Sequence, residues 1–488
     1  WSQPLHLGKF AVETLEELRG FEPDINIYKS QPQDLAVLLL TSGSTGISKA
    51  VMQENSKLLS MSAGTIAMNQ FSSQDVTLNW MPMDHVGALV FLSIMGVYLG
   101  CQQIHVPTQF ILQNPLKWLD LIDRYQATIS WAPNFAFTLI GDRAIEVTKR
   151  NWDLSSMKFL VNAGEAIVTK TARNFLKLLS SYGLSTKAIH PAFGMCETCS
   201  GITWSNSFSL ESSSDEDKFV ELGQPIAGAS LRIVDVNQQV VREGVIGYLQ
   251  VQGTSVTSGY YQNSVANQEA FTADGWFDTG DLGFLKDGSL TITGRQKDVI
   301  LINGFNYYSH EIESVVEKLS EIEVSYTAAV PIQESDRSTD ELAIFFNTTK
   351  TIDNGLLDLI KSIRTHIVQS IGINPSYLIP VEKTDIPKTS IGKIQRKQLK
   401  ERFENGEFDR IVNQVNEELA KLKRQSFVSG TGLERDVAEI WQEVLNLPEV
   451  GIYDSFFELG GNSVTLVQVQ NQLQELFKKK LSVVDLFK

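Results

Sequence analysis

Apolar residues along the chain fall into three kinds of pattern. Leu35-Ala36-Val37-Leu38-Leu39-Leu40 is a continuous apolar run, of the length expected for a strand covered on both faces. Across 169–179, Ala172, Phe175, Leu176 and Leu179 recur at helical spacing. From Gly223 onward, short runs at 231–234, 247–251 and 289–293 alternate with glycine turns and predict strands. Together these predict α/β layers with an added β-rich piece. A second unit begins near Gly294-Arg295, with a helix over 309–319 and a strand over 326–330. It ends near Leu399, and charged helical residues continue to about Arg424. Residues 426–432 are mostly small and polar, the composition of a linker. Beyond them Val437, Ile440, Trp441 and Val444 form one stripe of a helical tail. The stretch 86–101 holds sixteen uncharged residues, short of the roughly 18 that a membrane span needs. With Gly87, Ser93, Gly96 and Gly100 inside it, a buried helix running into a tight turn is predicted.

Length and charge narrow the picture. At about 150 residues per domain, 488 residues correspond to roughly three domains. A net charge of −15 argues against a nucleic-acid or anionic-membrane surface, because phosphate binding needs a basic footprint. Three cysteines, Cys101, Cys196 and Cys199, cannot staple a chain this long, so a reducing, cytoplasmic setting is expected. Cys196 and Cys199 form a Cys-x-x-Cys pair, but no second pair stands near it, and neither zinc nor redox chemistry is expected. The opening Trp1-Ser2-Gln3-Pro4 shows no basic-then-apolar leader, so no secretory signal is expected there, and Trp1 suggests an excerpt.

Candidate chemistry starts after the first apolar run, at Thr41-Ser42-Gly43-Ser44-Thr45-Gly46-Ile47-Ser48-Lys49. Glycines let backbone N–H groups turn toward an anion, and four hydroxyls add donors. The spacing of Gly43 and Gly46 is not that of a Walker A loop. A solvated Ser/Gly turn is the bland alternative. Four further segments weigh against it: Ala192-Phe193-Gly194-Met195-Cys196-Glu197-Thr198, Trp276-Phe277-Asp278-Thr279-Gly280-Asp281, Gly294-Arg295-Gln296-Lys297-Asp298, and Pro387-Lys388-Thr389-Ser390-Ile391-Gly392-Lys393-Ile394. With these residues, over about 34–399, the chain resembles the adenylate-forming superfamily of acyl-CoA synthetases, luciferases and nonribosomal peptide synthetase adenylation domains. The resemblance implies a large multi-layer α/β lobe over 1–293, its start apparently missing, and a small α+β lobe over 294–425. After the 426–432 linker, Gly460-Gly461-Asn462-Ser463 resembles the attachment site of a peptidyl or acyl carrier protein. This implies an all-α carrier bundle over 433–488, its last helix apparently missing.

The resemblance also implies roles. Adenylate-forming enzymes join a carboxylic acid to the α-phosphate of ATP with Mg²⁺ present, and cations and N–H donors stabilise the growing phosphoryl charge. Lys393 matches the catalytic cation, with a surface lysine as the alternative, and Lys297 matches the hinge about which the small lobe rotates. Thr41, Ser42, Gly43, Ser44, Thr45, Gly46 and Lys49 match the β- and γ-phosphate site. Gly164, Glu165, Ala166, Phe193, Gly194, Met195 and Thr198 match the adenine side, Asp281 and Arg295 the ribose, and Glu197 the metal. Ser463 matches the attachment point of 4′-phosphopantetheine, which a phosphopantetheinyl transferase adds; a plain helix N-cap is the alternative.

Amino-acid-activating relatives usually carry an Asp where Val86 aligns. A buried ammonium without a counter-charge is costly, so a plain or α-keto acid is expected, although Asp84 is only two positions away. His85, Val86, Gly87, Val90, Ser130, Val161, Ala163, Ala192, Ser200 and Gly201 align as the acyl pocket, with an ordinary packed histidine as the alternative for His85 at its mouth. They are mostly small and apolar, leaving room for a phenyl ring. The pocket, the fused carrier and residues 303–313, which resemble fatty acyl-adenylate ligases, suggest the starter module of a hybrid polyketide/nonribosomal peptide synthetase with downstream modules. A fatty acyl-adenylate ligase loading a carrier, and a non-catalytic carrier-presenting scaffold, are the competing expectations.

Overall fold

The computed structural model describes residues 28–41, 49–302, 305–332, 340–352, 354–389, 394–425, 432–445, 450–451, 456, 459 and 463–479, with the side chains of 297, 305–306, 420–425, 463–464 and 467 excepted. A seven-stranded sheet organises the large lobe, in the spatial order Gln102–His105, Val76–Asn79, Ile129–Ala132, Phe159–Asn162, Ile189–Met195, Ser200–Trp204, Gln224–Pro225. The first five strands run parallel and the last two antiparallel. All four residues of both Ile129–Ala132 and Phe159–Asn162 are buried, as parallel strands covered on both faces must be.

The connections decide which face does what. From Val76–Asn79 the chain crosses outward to the edge strand through a helical segment on one face. It then crosses back toward Ile129–Ala132, and right-handed crossovers put its next helices on the other face. That second face carries an aromatic core in which Phe137 meets Phe175 edge-on at 4.8 Å and Trp118 at 6.0 Å. Helix Thr169–Leu179 lies here and buries Ala172, Phe175, Leu176 and Leu179, the four residues its spacing selects.

Two expectations are modified. Among the described residues strand Leu35–Thr41 pairs with Lys49–Glu54 alone; Leu39 is buried, but Leu38 and Leu40 are 42% and 67% exposed. Among the described residues that run is therefore covered on one face, not both. The 86–101 stretch does form a buried helix ending in a turn, but its core, Gly87–Ile94, is a π-helix, followed by the α-helix Met95–Leu99 and a stop at Gly100 with φ +72°. Among the described residues no helix is long and apolar enough to cross a membrane.

A four-stranded antiparallel sheet, Ala229–Val234, Gly247–Gly253, Phe277–Lys286 and Ser289–Arg295, continues the large lobe through Arg295. The small lobe is built on Ile322–Ile332, Glu341–Thr348 and Tyr377–Pro380. Its faces alternate strictly, as a pleated strand dictates. Ala329, Ile344 and Phe346 pack toward helices Ser309–Val316 and Leu356–Ile371, whereas Ala328, Val330 and Phe345 pack toward Leu399. Helices Gly432–Leu445 and Ser463–Phe477 form the described part of the tail, with Leu466, Val469 and Leu473 packed on Val437, Ile440, Trp441 and Val444.

Replacing Phe137 by Ala should remove the centre of the aromatic core and cost about 3–5 kcal/mol. The measurement is the large-lobe transition in urea, followed by tryptophan fluorescence; a midpoint unchanged from wild type would contradict this packing.

Candidate active site

Where successive crossovers diverge to opposite faces, a crevice opens beyond the carboxyl ends of the strands. Trp131 is buried at the end of strand Ile129–Ala132. The His85 ring stacks on it at 4.7 Å with planes 21° apart. A Cβ on Gly87 would lie 3.1 Å from the Trp131 ring, and one on Gly164, whose φ is +92°, 3.4 Å from it. Val161 sits beside Trp131 in register, and Ala192 lies two residues beyond His190, the partner of Val161 in the next strand. Ser130 corrects the alignment: its hydroxyl donates to the Leu78 carbonyl at 2.8 Å and accepts from Trp118 Nε1 at 3.3 Å. It therefore faces the helical side of the sheet, and the pocket side belongs to its neighbour Trp131. Val86, Gly87 and Val90 are buried, whereas Asp84 is exposed. Ser200 and Gly201 are buried in the next strand, where a Cβ on Gly201 would strike the Trp204 ring at 2.2 Å.

A cavity of about 300 Å³ lies between the lobes. Gly164, Glu165, Ala166, Phe193, Gly194, Asp281 and Arg295 line it together, residues scattered over more than a hundred positions of sequence. Arg295 Nε donates to Asp281 Oδ1 at 2.9 Å, because the two residues are cross-strand partners. Gly194 admits no side chain: a Cβ there would fall 1.9 Å from the Ser200 carbonyl oxygen. Glu165 Oε1 accepts the Phe135 amide at 2.7 Å. Met195 and Thr198 also shape the turn between the two strands. The Thr198 hydroxyl accepts the Met195 amide at 3.0 Å and donates to the Ser200 carbonyl at 2.7 Å, so both hold the turn that presents Glu197.

Glu197 is buried and accepts the Tyr260 hydroxyl at 2.9 Å. Burial holds its carboxyl above the usual carboxylate range, with the Tyr260 hydrogen bond opposing. Lys49 Nζ stands 4.6 Å from the Tyr260 ring centroid, and Thr41 pairs with Lys49 across the hairpin. The hairpin is tied to the Glu197 turn by Gln53, which donates to the Cys196 carbonyl and accepts the Cys199 thiol at 2.9 Å. Burial pushes the Cys196 thiol up to about 12 and raises Cys199 as well, so neither is a thiolate at neutral pH. Ser42, Gly43, Ser44, Thr45, Gly46 and Lys393 lie outside the described residues, as do the side chains of Lys297 and Ser463. The backbone of Lys297 belongs to the turn Gln296–Asp298, and helix Ser463–Phe477 begins at Ser463. Ile394, next to Lys393 in sequence, lines the cavity.

Tyr260 and Trp131 escaped the motif analysis. A buried aromatic in an apolar strand carries no local mark, and Tyr260 contacts Glu197 from 63 positions away.

The residues fit a magnesium nucleotide. One buried carboxylate suits Mg²⁺, which takes one or two carboxylates and completes its shell with phosphate and water. Among the described residues no group of three His, Cys, Asp or Glu side chains could hold a metal without such help.

Residues 7–261 match the AMP-binding enzyme family, and 435–488 match the phosphopantetheine attachment site. The nonribosomal peptide synthetase apvA of Aspergillus terreus is 32% identical over 453 residues, 91% of this chain and 49% of its own length. The chain thus spans about half the length of the curated relatives it matches. The McyG A-PCP structure complexed with phenylalanyl-adenylate is 49% identical, covering 99% of this chain and 76% of that one with a TM-score of 0.89. An adenylation, ketoreductase and pseudo-Asub structure from a keto acid-selecting module is 40% identical over 83% of this chain and 36% of that one, TM-score 0.78.

The raised Glu197 carboxyl has a measurable consequence. A group whose folded-state pKa is raised gives its full contribution below its ordinary range and loses it as pH rises through the raised value. Without metal or nucleotide, wild type should therefore lose thermal stability relative to Glu197→Gln as pH climbs above the usual carboxylate range. A melting-temperature difference that stays flat across that climb would contradict the burial argument.

Proposed function

The chain belongs to the AMP-binding enzyme family, carries a phosphopantetheine attachment domain, and on that premise we propose that it activates a bulky, hydrophobic carboxylic acid lacking an α-ammonium group, an aryl, phenylpropanoid or aryl α-keto acid. The acyl group then passes to the phosphopantetheine thiol on Ser463 of its own carrier domain. The observation that carries the substrate class is the pocket entrance: Val86 is buried where an ammonium would need an acid, and Asp84 is exposed to solvent. Leaving an ammonium unpaired there would cost several kcal/mol. The small side chains aligned to the pocket, Gly87, Ala163 and Ala192, leave room for a ring.

In the first half-reaction a carboxylate oxygen bonds to the α-phosphorus of ATP, and the α–β anhydride bond breaks to release pyrophosphate. Lys393 supplies the cation between carboxylate and α-phosphate. Thr41, Ser42, Gly43, Ser44, Thr45, Gly46 and Lys49 hold the β- and γ-phosphates, Phe193 stacks on adenine beside Gly164, Glu165 and Ala166, and Asp281 with Arg295 grips the ribose. Glu197 would hold Mg²⁺, which offsets phosphate charge when bound. In the second half-reaction the small lobe turns about Lys297, bringing Asn303-Gly304 toward the arriving thiol. The thiolate bonds to the acyl carbon and AMP leaves. Tethering raises the thiol's effective concentration, which makes free CoA unnecessary.

The similar McyG structure holds phenylalanyl-adenylate, which supports an acid of this size but carries an α-amino group, whereas the similar module that selects keto acids supports an acid without one. We assign the protein to the starter position of a hybrid polyketide/nonribosomal peptide synthetase, as in the loading module of microcystin synthetase. Its partners there are a phosphopantetheinyl transferase and downstream modules, and its free cysteines suit the cytoplasm.

The deciding experiment is ATP–pyrophosphate exchange with phenylacetate, cinnamate, phenylpyruvate, phenylalanine and medium-chain fatty acids, with Lys393→Ala as the inactive control. Exchange is expected with the aryl acids; a best rate with phenylalanine or a fatty acid would refute the substrate class. Co-expression with a phosphopantetheinyl transferase should add one arm at Ser463, lost in Ser463→Ala, and an intact mass without that addition would refute the carrier assignment.

A further inference from the structure

One charged cluster on the small-lobe wall of the cavity has no part in the roles assigned so far. Arg396 Nε donates to Glu313 Oε1 at 2.8 Å and its Nη2 to Oε2 at 2.6 Å, a two-pronged pairing. Its Nη1 stands 3.9 Å from Asp298 Oδ2. Glu313 Oε1 also accepts the Ala329 amide at 2.9 Å. The pair is mostly buried, with side-chain exposures of 19% for Arg396 and 10% for Glu313. Three segments therefore meet at one guanidinium: the hinge turn Gln296–Asp298, helix Ser309–Val316, and the first residue of helix Arg396–Glu404.

The location gives the cluster its meaning. Arg396 and Ile394 both line the cavity, three and one positions after Lys393 in sequence. A planar fork paired at both oxygens restrains position and orientation together, which a point charge cannot do. Glu313 and Asp298 both come after the start of the hinge turn, so the clamp sets geometry within the small lobe, while the large-lobe carboxylate of Glu165 adds a longer-range attraction. Catalysis by a positioned cation is sensitive to such geometry.

We propose that Arg396 is a positioning residue for adenylate formation: clamped by Glu313 and Asp298, it fixes the stretch that reaches the cavity at Ile394, and so aligns the cation supplied from that stretch with the α-phosphate. This rests on the adenylation reading above, with Lys393 as the cation.

The test compares Arg396→Gln, Arg396→Lys and Glu313→Gln with wild type in acid-dependent pyrophosphate exchange. kcat and the KM for ATP are determined separately, and native packing is checked by near-UV circular dichroism. Misalignment should lower kcat about a hundredfold in Arg396→Gln and Glu313→Gln, with the KM for ATP changed by less than about threefold. Arg396→Lys should recover part of the loss. The proposal is overturned by a near-wild-type kcat in Arg396→Gln, by a KM that rises while kcat holds, or by all three variants losing native packing. Absence of exchange in the wild type with every acid would instead bring down the adenylation reading itself.

Discussion

Between the strands Val76–Asn79 and Ile129–Ala132 the chain changes the side of the sheet on which it crosses, and the crevice opened there constrains everything that acts in the large lobe. Residues that must converge on one small molecule come from the ends of different strands, so they lie far apart in sequence. The π-helix Gly87–Ile94 roofs one face of that crevice, anchored where Thr77 Oγ1 donates to the Leu92 carbonyl at 3.4 Å. The bulge between Phe193 and Gly194 falls where the last parallel strand meets its antiparallel neighbour, a usual place to re-aim a side chain. Glycine at 194 follows from that geometry, since two backbones approach too closely there for a Cβ.

Charge is the second constraint. Glu197 and Asp281 are both buried, yet they are treated differently. Asp281 is paired directly with Arg295, whereas Glu197 has a tyrosine hydroxyl and only the more distant charges of Arg295 and Lys49, and burial raises its pKa. A structural carboxylate is normally settled by a full counter-ion. A carboxylate left short of positive charge is the arrangement expected where a cation arrives with the substrate, and the ligand-free fold carries that cost. The same reasoning applied to Val86 gives the opposite sign, since an apolar side chain there leaves nothing to balance an ammonium.

Legibility in the sequence followed the range of the interaction. The helix Thr169–Leu179 was fully readable because its amphipathic stripe is local. The cavity residues were readable only through the resemblance, whose short motifs each preserve a fragment of the site. Position within the pocket was the weak point. Side chains alternate across a strand, so a slip of one residue exchanges the two faces, and Ser130 was placed where Trp131 stands. The Leu35–Leu40 run misled for another reason: apolar composition reports what a strand could cover, not what lies against it. Tyr260, Glu313 and Arg396 are defined by partners 63 to 83 positions away, and no window of neighbouring residues contains that information.

Contacts within the small lobe and contacts between the lobes also differ in kind, and the difference suits a site that must serve two half-reactions. Inside the small lobe, Arg396 and Glu313 form a mostly buried, two-pronged pair on a close-packed sheet. Across the lobes, the Lys218–Glu311 pair spans 3.6 Å with the lysine 75% exposed, and Phe219 meets His310 at 5.7 Å. Exposed ion pairs are screened and contribute little, although the Arg396 guanidinium and the Lys388 ammonium also feel the large-lobe carboxylate of Glu165. A rigid lobe on a weakly held interface allows one body to rotate as a unit. The Arg396–Glu313 pair lies wholly within the small lobe and is not broken by such a rotation.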